Sequence, residues 1–314
     1  MEDLTGIGKF APVANNLIEK VSDAIGGSLK PWQIKRVAEA NAEAKCIETQ
    51  AECDAIVQKA RAEAFAKCEQ ERIRKEFNQS FQIDKTIAEP AIRRMVCEEV
   101  KKQFNMESIL SQAIPLLKET ATPEAMDEDW IMDFFNKARN ISNEDMQRMW
   151  AKLLAEEANS PNSIRKKSLF VLSNMSKFDA QTFEKLSSLS IEILGRPIFF
   201  EFIIKEKFGW KYFEIMQNLC ELGLLHFSSS GFMRTFTAPN ITLKYGNKKC
   251  SCILKQKYEL KYGRFSYTQA GFDLWKVVNR NDVSGLLDTI ISEKEFIECF
   301  EKIGPILIGT NAIK

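Results

Sequence analysis

Residues 122–161 read TPEAMDEDWIMDFFNKARNISNEDMQRMWAKLLAEEANSP. Thr122-Pro123-Glu124 has the chemistry of an N-cap followed by a first-turn proline and acid. The helix that follows carries Trp130, Ile131, Phe134, Phe135 and Ala138 on one side. Ser142-Asn143-Glu144-Asp145 then reads as a Ser-x-x-acid capping box, opening a second helix with Met146, Met149, Trp150, Leu153 and Leu154. Asn159-Ser160-Pro161 breaks it. A third helix follows with Ile164, Leu169, Phe170, Leu172 and Met175. A fourth, capped by Ser176-Lys177-Phe178-Asp179, carries Phe183, Leu186 and Leu189. Four amphipathic helices with short links predict a central antiparallel bundle over 121–195. The acids here (Asp127, Glu128, Asp129, Asp133, Glu144, Asp145) fall mostly in first helical turns, which points to capping rather than to a carboxylate site. Arg165-Lys166-Lys167 reads as a solvated face.

Upstream, 1–120 reads as a small helical cap and a long rod. Val13, Leu17, Ile18, Val21 and Ile25 mark an amphipathic helix stopped at Gly26-Gly27. From Trp32 to Glu89 there is neither glycine nor proline. As one helix that stretch would be about 87 Å long at 1.5 Å per residue. Alanine and glutamate dominate it, and its large apolar residues are thinly spaced. A thin stripe gains little burial alone, so the reading is a coiled-coil-like stalk that self-associates through Ile34, Val37, Ile47, Ile56, Phe65 and Ile73. Pro90 is expected to end or kink the rod. Two short helices, 91–104 and 106–119, should follow; the first carries the stripe Ile92, Met95, Val96, Val100 and Phe104.

Downstream, 196–314 shifts to mixed helix and strand and to basic charge, with 17 Lys+Arg against 12 Asp+Glu in a chain whose net charge is only +1. Residues 212–222 read as a helix ended by Gly223, and 224–227 as a strand. Residues 241–245 and 250–254 read as strands joined at Gly246-Asn247, a hairpin dipeptide. Thr268-Gln269-Ala270-Gly271 then leads into a last helix. The order suggests a winged-helix-like α+β domain, so the whole chain reads as mainly α. Lys244, Lys248, Lys249, Lys255, Lys257, Lys261 and Arg264 alternate with Tyr245, Tyr258, Tyr262 and Tyr267. Basic groups among aromatics suit a phosphate backbone with stacked bases, a protein contact, or protection of an exposed strand edge. The candidate partner-binding residues are therefore Lys244, Lys248, Lys249, Lys255, Lys257, Tyr258, Lys261, Tyr262 and Arg264. The apolar tail, 303–309, should pack on this domain.

The stretch Asp129-Trp130…Phe134-Phe135…Glu144-Asp145-Met146-Gln147…Trp150-Ala151…Leu154-Ala155-Glu156-Glu157-Ala158-Asn159-Ser160-Pro161 resembles an uncharacterised bacterial domain-of-unknown-function family. More distantly it is similar to the abortive-infection alpha family. The likeness extends upstream through Leu17-Ile18-Glu19-Lys20 and Lys30-Pro31-Trp32, and spans roughly residues 13–190. The resemblance implies a bacterial group tied, through its relatives, to defence against phage. No catalytic residue comes with it.

Composition narrows the chemistry. One histidine, His226, excludes imidazole-rich metal sites. None of the eight cysteines forms a C-x-x-C pair; Cys250-Ser251-Cys252 is the closest, and the plain expectation is reduced thiols in the cytoplasm. No phosphate-binding glycine motif and no nucleophile elbow is present. Neither a signal peptide nor an apolar run long enough to span a bilayer is read. The sequence thus assigns no catalytic residue, no cofactor and no metal. It predicts a non-enzymatic homo-oligomer of antiphage defence that senses a phage protein or nucleic acid through its basic C-terminal domain. The alternatives are a winged-helix DNA-binding regulator and a peripheral membrane effector touching a membrane surface.

Overall fold

A computed structural model of the chain describes residues 11–26, 85–236, 240–254, 258–278, 283–292 and 300–308. The stalk residues Ile34, Val37, Ile47, Ile56, Phe65 and Ile73 lie outside the described residues, as do Lys255 and Lys257. The chain is helix-rich, with a small antiparallel sheet region toward its C-terminus. It divides into two compact units, Met1–Ser163 and Ile164–Lys314. The division falls inside the expected 121–195 segment, so its first two helices belong to one unit and its last two to the other.

In the first unit, α1 (Ala11–Ile25) buries Leu17, Ile18 and Val21 and packs on α3 (Glu128–Ala138). Helix α2 runs from Lys85 to Ala113, and α4 from Glu144 to Asn159. Two expectations change here. Of the two outcomes expected at Pro90, an end to the helix is ruled out, since Pro90 lies inside α2, and the two short helices expected at 91–104 and 106–119 are one helix as far as Ala113, followed by a 3₁₀ turn (Ile114–Leu116). Pro90 gives up one main-chain N–H bond, a loss that the turns of α2 around it absorb. Helix starts also shift. Thr122 precedes only a 3₁₀ turn (Pro123–Ala125), and α3 is capped by Asp127, which accepts from Trp130 N at 2.7 Å. Asn143, not Ser142, caps α4 by accepting from Met146 N. In each case the residue whose carboxylate or amide oxygen can reach the third amide forward takes the cap.

Phe134 centres this core, stacked on Trp130 at 5.2 Å and edge-on to Trp150 at 5.0 Å. Beside it, Gln147 of α4 is almost fully buried and its amide is satisfied. It donates to the Ile141 carbonyl at 2.8 Å and to Asn105 Oδ1 at 3.2 Å, and accepts from Ser108 Oγ at 2.9 Å. These bonds hold α4 to α2 in a low-dielectric place where an unmade bond would be costly. Two of the five residues of the α2 stripe named above stay uncovered: Met95 and Phe104 are exposed.

The second unit contains α5 (Lys166–Asn174), α6 (Lys177–Ser188), β1 (Ile191–Ile193), β2 (Arg196–Ile198), α7 (Glu201–Phe208) and α8 (Tyr212–Glu221). It continues with β3 (Leu225–Phe236), β4 (Asn240–Tyr245), β5 (Lys248–Leu254), β6 (Tyr258–Tyr267), α9 (Gln269–Val277), α10 (Leu286–Ser292) and β7 (Phe300–Ile308). Ser176 and Asp179 form a full capping box at α6. All pairing is antiparallel: a five-stranded sheet in the order β2-β1-β4-β5-β7, and a separate ribbon of β3 and β6. The apolar tail is therefore an edge strand, with Gly304-Pro305 at a register shift against β5, where a missing N–H is tolerated. Hairpin β1–β2 turns on Leu194 and Gly195, both at positive φ, as a primed turn requires.

Asp273 of α9 is fully buried. It accepts from Ser168 Oγ at 2.8 Å and from Arg165 N at 3.2 Å, so a carboxylate from α9 satisfies the start of α5. The Thr268-x-x-Gly271 motif has an equally local cause. Thr268 accepts from Gly271 N and donates to the Gly223 carbonyl, which draws α9 onto the chain at Leu224. A Cβ on Gly271 would sit 2.1 Å from the Leu224 carbonyl oxygen. Gly271→Ala is expected to destabilise the protein by about 3 kcal/mol, read as a lower urea midpoint at unchanged slope.

Candidate functional site

Polar and aromatic side chains gather where the N-terminal end of α7 meets the ribbon. Phe227 stands opposite Phe265 and Phe232 opposite Gly263, so Ser228–Gly231 bulge out against Arg264 alone. Gly263 has φ +137, and a Cβ there would approach the Glu201 Cβ to 2.5 Å. Only glycine lets α7 lie this close. Glu201 then grips the next residue: Arg264 Nη2 and Nε donate to its Oε1 at 2.7 and 3.0 Å, and Arg264 N donates to its Oε2 at 2.9 Å. Tyr212 Oη accepts from Arg264 Nη2 at 2.6 Å, and Lys205 Nζ lies 3.3 Å from Glu201. Burial works to raise the Glu201 pKa, but the hydrogen bonds from Arg264, with Lys205 beside it, outweigh burial and hold it below its ordinary value.

Bulge and helix together enclose a cleft of about 380 Å³. Phe202, Phe232 and Tyr262 supply aromatic surface, Ser229 and Ser230 supply hydroxyls, and Lys205 and Lys261 supply positive charge. Phe232 and Tyr262 stack at 6.3 Å. On the turn between α7 and α8, Trp210 is 86% exposed, with Lys211 Nζ 5.0 Å from its ring centre.

The sequence-predicted residues do not gather in one place. Lys261, Tyr262 and Arg264 line the cleft. Lys244 and Lys249 are cross-strand neighbours on the exposed side of the other sheet, where Lys244 pairs with Glu192 at 3.0 Å; Lys248 adjoins them on β5. Tyr258 opens β6, and its side chain is outside the described set. The lysine–tyrosine alternation is partly strand periodicity. Tyr245 points into the core, donating to the Ser188 carbonyl and accepting from Val283 N, and Tyr267 bonds Ser190. Glu201, Lys205 and the Ser-Ser-Ser-Gly bulge were not foreseen. A run of small polar residues inside an apolar strand was the available signal.

Cys250 and Cys252 lie side by side in the core with their sulfurs 3.8 Å apart. Burial pushes the Cys252 thiol up to about 12 and raises that of Cys250, so both are protonated at neutral pH. Among the described residues, no group of three or more His, Cys, Asp or Glu side chains is arranged to hold a metal ion. No helix among them is long and apolar enough to cross a membrane.

Fold and cleft thus define a helix-rich protein with a C-terminal antiparallel sheet region and a polar, aromatic cleft. The chain belongs to the family described as "Protein of unknown function (DUF2806)", whose model matches residues 89–290. That range contains the Asp129–Pro161 stretch quoted above and continues through the cleft into α10. No curated protein and no solved structure matches the chain.

Glu201→Gln is expected to cost about 2 kcal/mol at pH 7, because it weakens charge-assisted bonds in a half-buried place. A carboxyl with a depressed pKa contributes fully above its ordinary value of 4.5, and the contribution fades as pH falls through the lower folded value. Urea midpoints of wild type and variant should therefore differ at pH 7 and converge in acid below 4.5.

Proposed function

We propose that this protein is a non-enzymatic, oligomeric component of bacterial antiphage defence, akin in role to the abortive-infection alpha family. In this reading copies assemble as a coiled coil through residues 32–89, and the C-terminal unit captures a phage-derived protein or nucleic acid. The observation that carries the capture step is the cleft between α7 and the bulged ribbon. It offers aromatic surface, hydroxyls and lysines. Trp210, held in water on the turn after α7, has the character of an interface anchor. The free cysteines Cys97, Cys220, Cys250 and Cys252 suit a reducing compartment and support placement in the cytoplasm.

The finer shape in this proposal is winged-helix-like. Helices α7 and α8 are followed by the ribbon β3–β6, which takes the place of the wing, with the β4–β5 hairpin inserted between its strands and paired into the other sheet. The competing reading, a duplex-DNA regulator, would place α8 in a groove. Its exposed face carries Glu214, Gln217, Asn218 and Glu221, two acids and no base, which disfavours a phosphate-lined groove.

The test has two arms. Light scattering of the full chain should report a mass well above 35.9 kDa. The substitutions Ile34→Asp, Ile47→Asp and Ile56→Asp together should return it to one subunit. In phage plating, cells making the wild type should lower plaque counts at least tenfold, and the Trp210→Ala/Lys261→Glu variant should not. A lone subunit at working concentration overturns the assembly half, and unchanged plaque counts overturn the defence half.

A further inference from the structure

Arg234 of β3 reaches from the ribbon to the β1–β2 hairpin. Its Nη1 donates to the Ile193 carbonyl at 3.0 Å, and Ile193 stands opposite Arg196 across that hairpin. Two arginines from different strands therefore flank one hairpin, near enough for Arg234 to feel the charge of Arg196. Each is held in place. Arg234 lies over the Phe236 ring at 5.4 Å. Arg196 lies over the Phe272 ring at 4.7 Å and donates Nη1 to Gln269 Oε1 at 3.3 Å.

Neither guanidinium has a carboxylate partner among the described residues. Of the acids on neighbouring elements, Glu192 pairs with Lys244, Asp273 bonds Ser168, Arg165 and Gln269, and Glu259 stands opposite Thr235, on the alternate face of the ribbon from Arg234. Arg234 is half-buried. Its environment disfavours its charge, first through burial and then through Arg196, with only the Tyr262 phenol acting the other way. A partly desolvated cation beside a second cation is a costly arrangement unless an anion completes it. Each guanidinium has five N–H donors, and each uses only one of them in the hydrogen bond described here.

We propose that Arg196 and Arg234 form a binding site for a doubly charged phosphate group, with Tyr262 at its edge. Two guanidinium forks suit a dianion with three terminal oxygens, whereas a carboxylate would occupy one fork. The site adjoins the capture cleft through Tyr262, but it stands whether or not the protein acts in defence, because neither Arg196 nor Arg234 lines that cleft or belongs to the stalk.

The test is calorimetric titration of the full chain with inorganic phosphate, against chloride of equal ionic strength. Saturable binding is expected. It should weaken at least tenfold in Arg234→Gln and in Arg196→Gln, and stay within twofold in Lys249→Gln; acetate should not compete. Arg196 is exposed, so its variant keeps the test decisive even if Arg234→Gln folds poorly. An oligonucleotide with a 5′-phosphate that binds more tightly than its unphosphorylated twin assigns the phosphate to a nucleic-acid end. Equal binding of the two oligonucleotides, with inorganic phosphate still bound, assigns it to a free phosphate. No saturable phosphate binding, or binding undiminished in both arginine variants, overturns the site.

Discussion

The hold of Glu201 on Arg264 organises the C-terminal unit. One carboxylate accepts both a side-chain fork and a main-chain N–H from the same arginine. It can do so only because Gly263 admits α7 to within van der Waals distance of the ribbon. Four residues of β3 must then bulge against Arg264, and that bulge is one wall of the cleft. The helix end, the bulge and the cleft are therefore one feature with one cause. The pair is half-buried, so it is stronger than a surface ion pair, and enough water remains to spare it the full desolvation cost.

The same economy recurs with polar side chains at element junctions. Gln147 bonds α4 to α2 and to the link after α3, so the first unit is fixed by a satisfied amide as well as by the Phe134 cluster. Asp273 does for α5 what an N-cap residue does elsewhere, but from another helix. Apolar contacts are tolerant of sliding; these directional bonds are not, and they set which surfaces of each helix face inward. Against this pattern, the arginines beside the β1–β2 hairpin, without a carboxylate partner among the described residues, stand out.

Membership of a family of unknown function gives no chemistry to transfer. The physical case therefore rests on the second unit, which holds the cleft, the exposed Trp210 and the arginine pair. All are features of binding surfaces. The Cys250–Cys252 pair, which looks reactive on paper, is a core contact whose thiols stay protonated.

Helices were legible wherever apolar residues recur at helical spacing, as in α1 and α3 to α6, because a one-sided stripe can be buried in only one way. The β4–β5 hairpin was legible from Gly246-Asn247, and Thr268 with Gly271 announced the start of α9. Caps were legible to within a few residues, since several oxygens compete for the same amides. The continuity of α2 through Pro90 was not legible, because a proline reads as a stop unless it falls in the opening turns of a helix. Strands β1, β2 and β7 were too short, or too interrupted by Gly and Pro, to show a period. The basic, tyrosine-rich run was visible as composition, but which of its residues share a surface was decided by tertiary structure alone. Strand alternation sends neighbours to opposite faces and pairing assigns β5 and β6 to different sheets, so Lys249 and Lys261, twelve residues apart, never meet, while Glu201 and Arg264, 63 apart, are bonded.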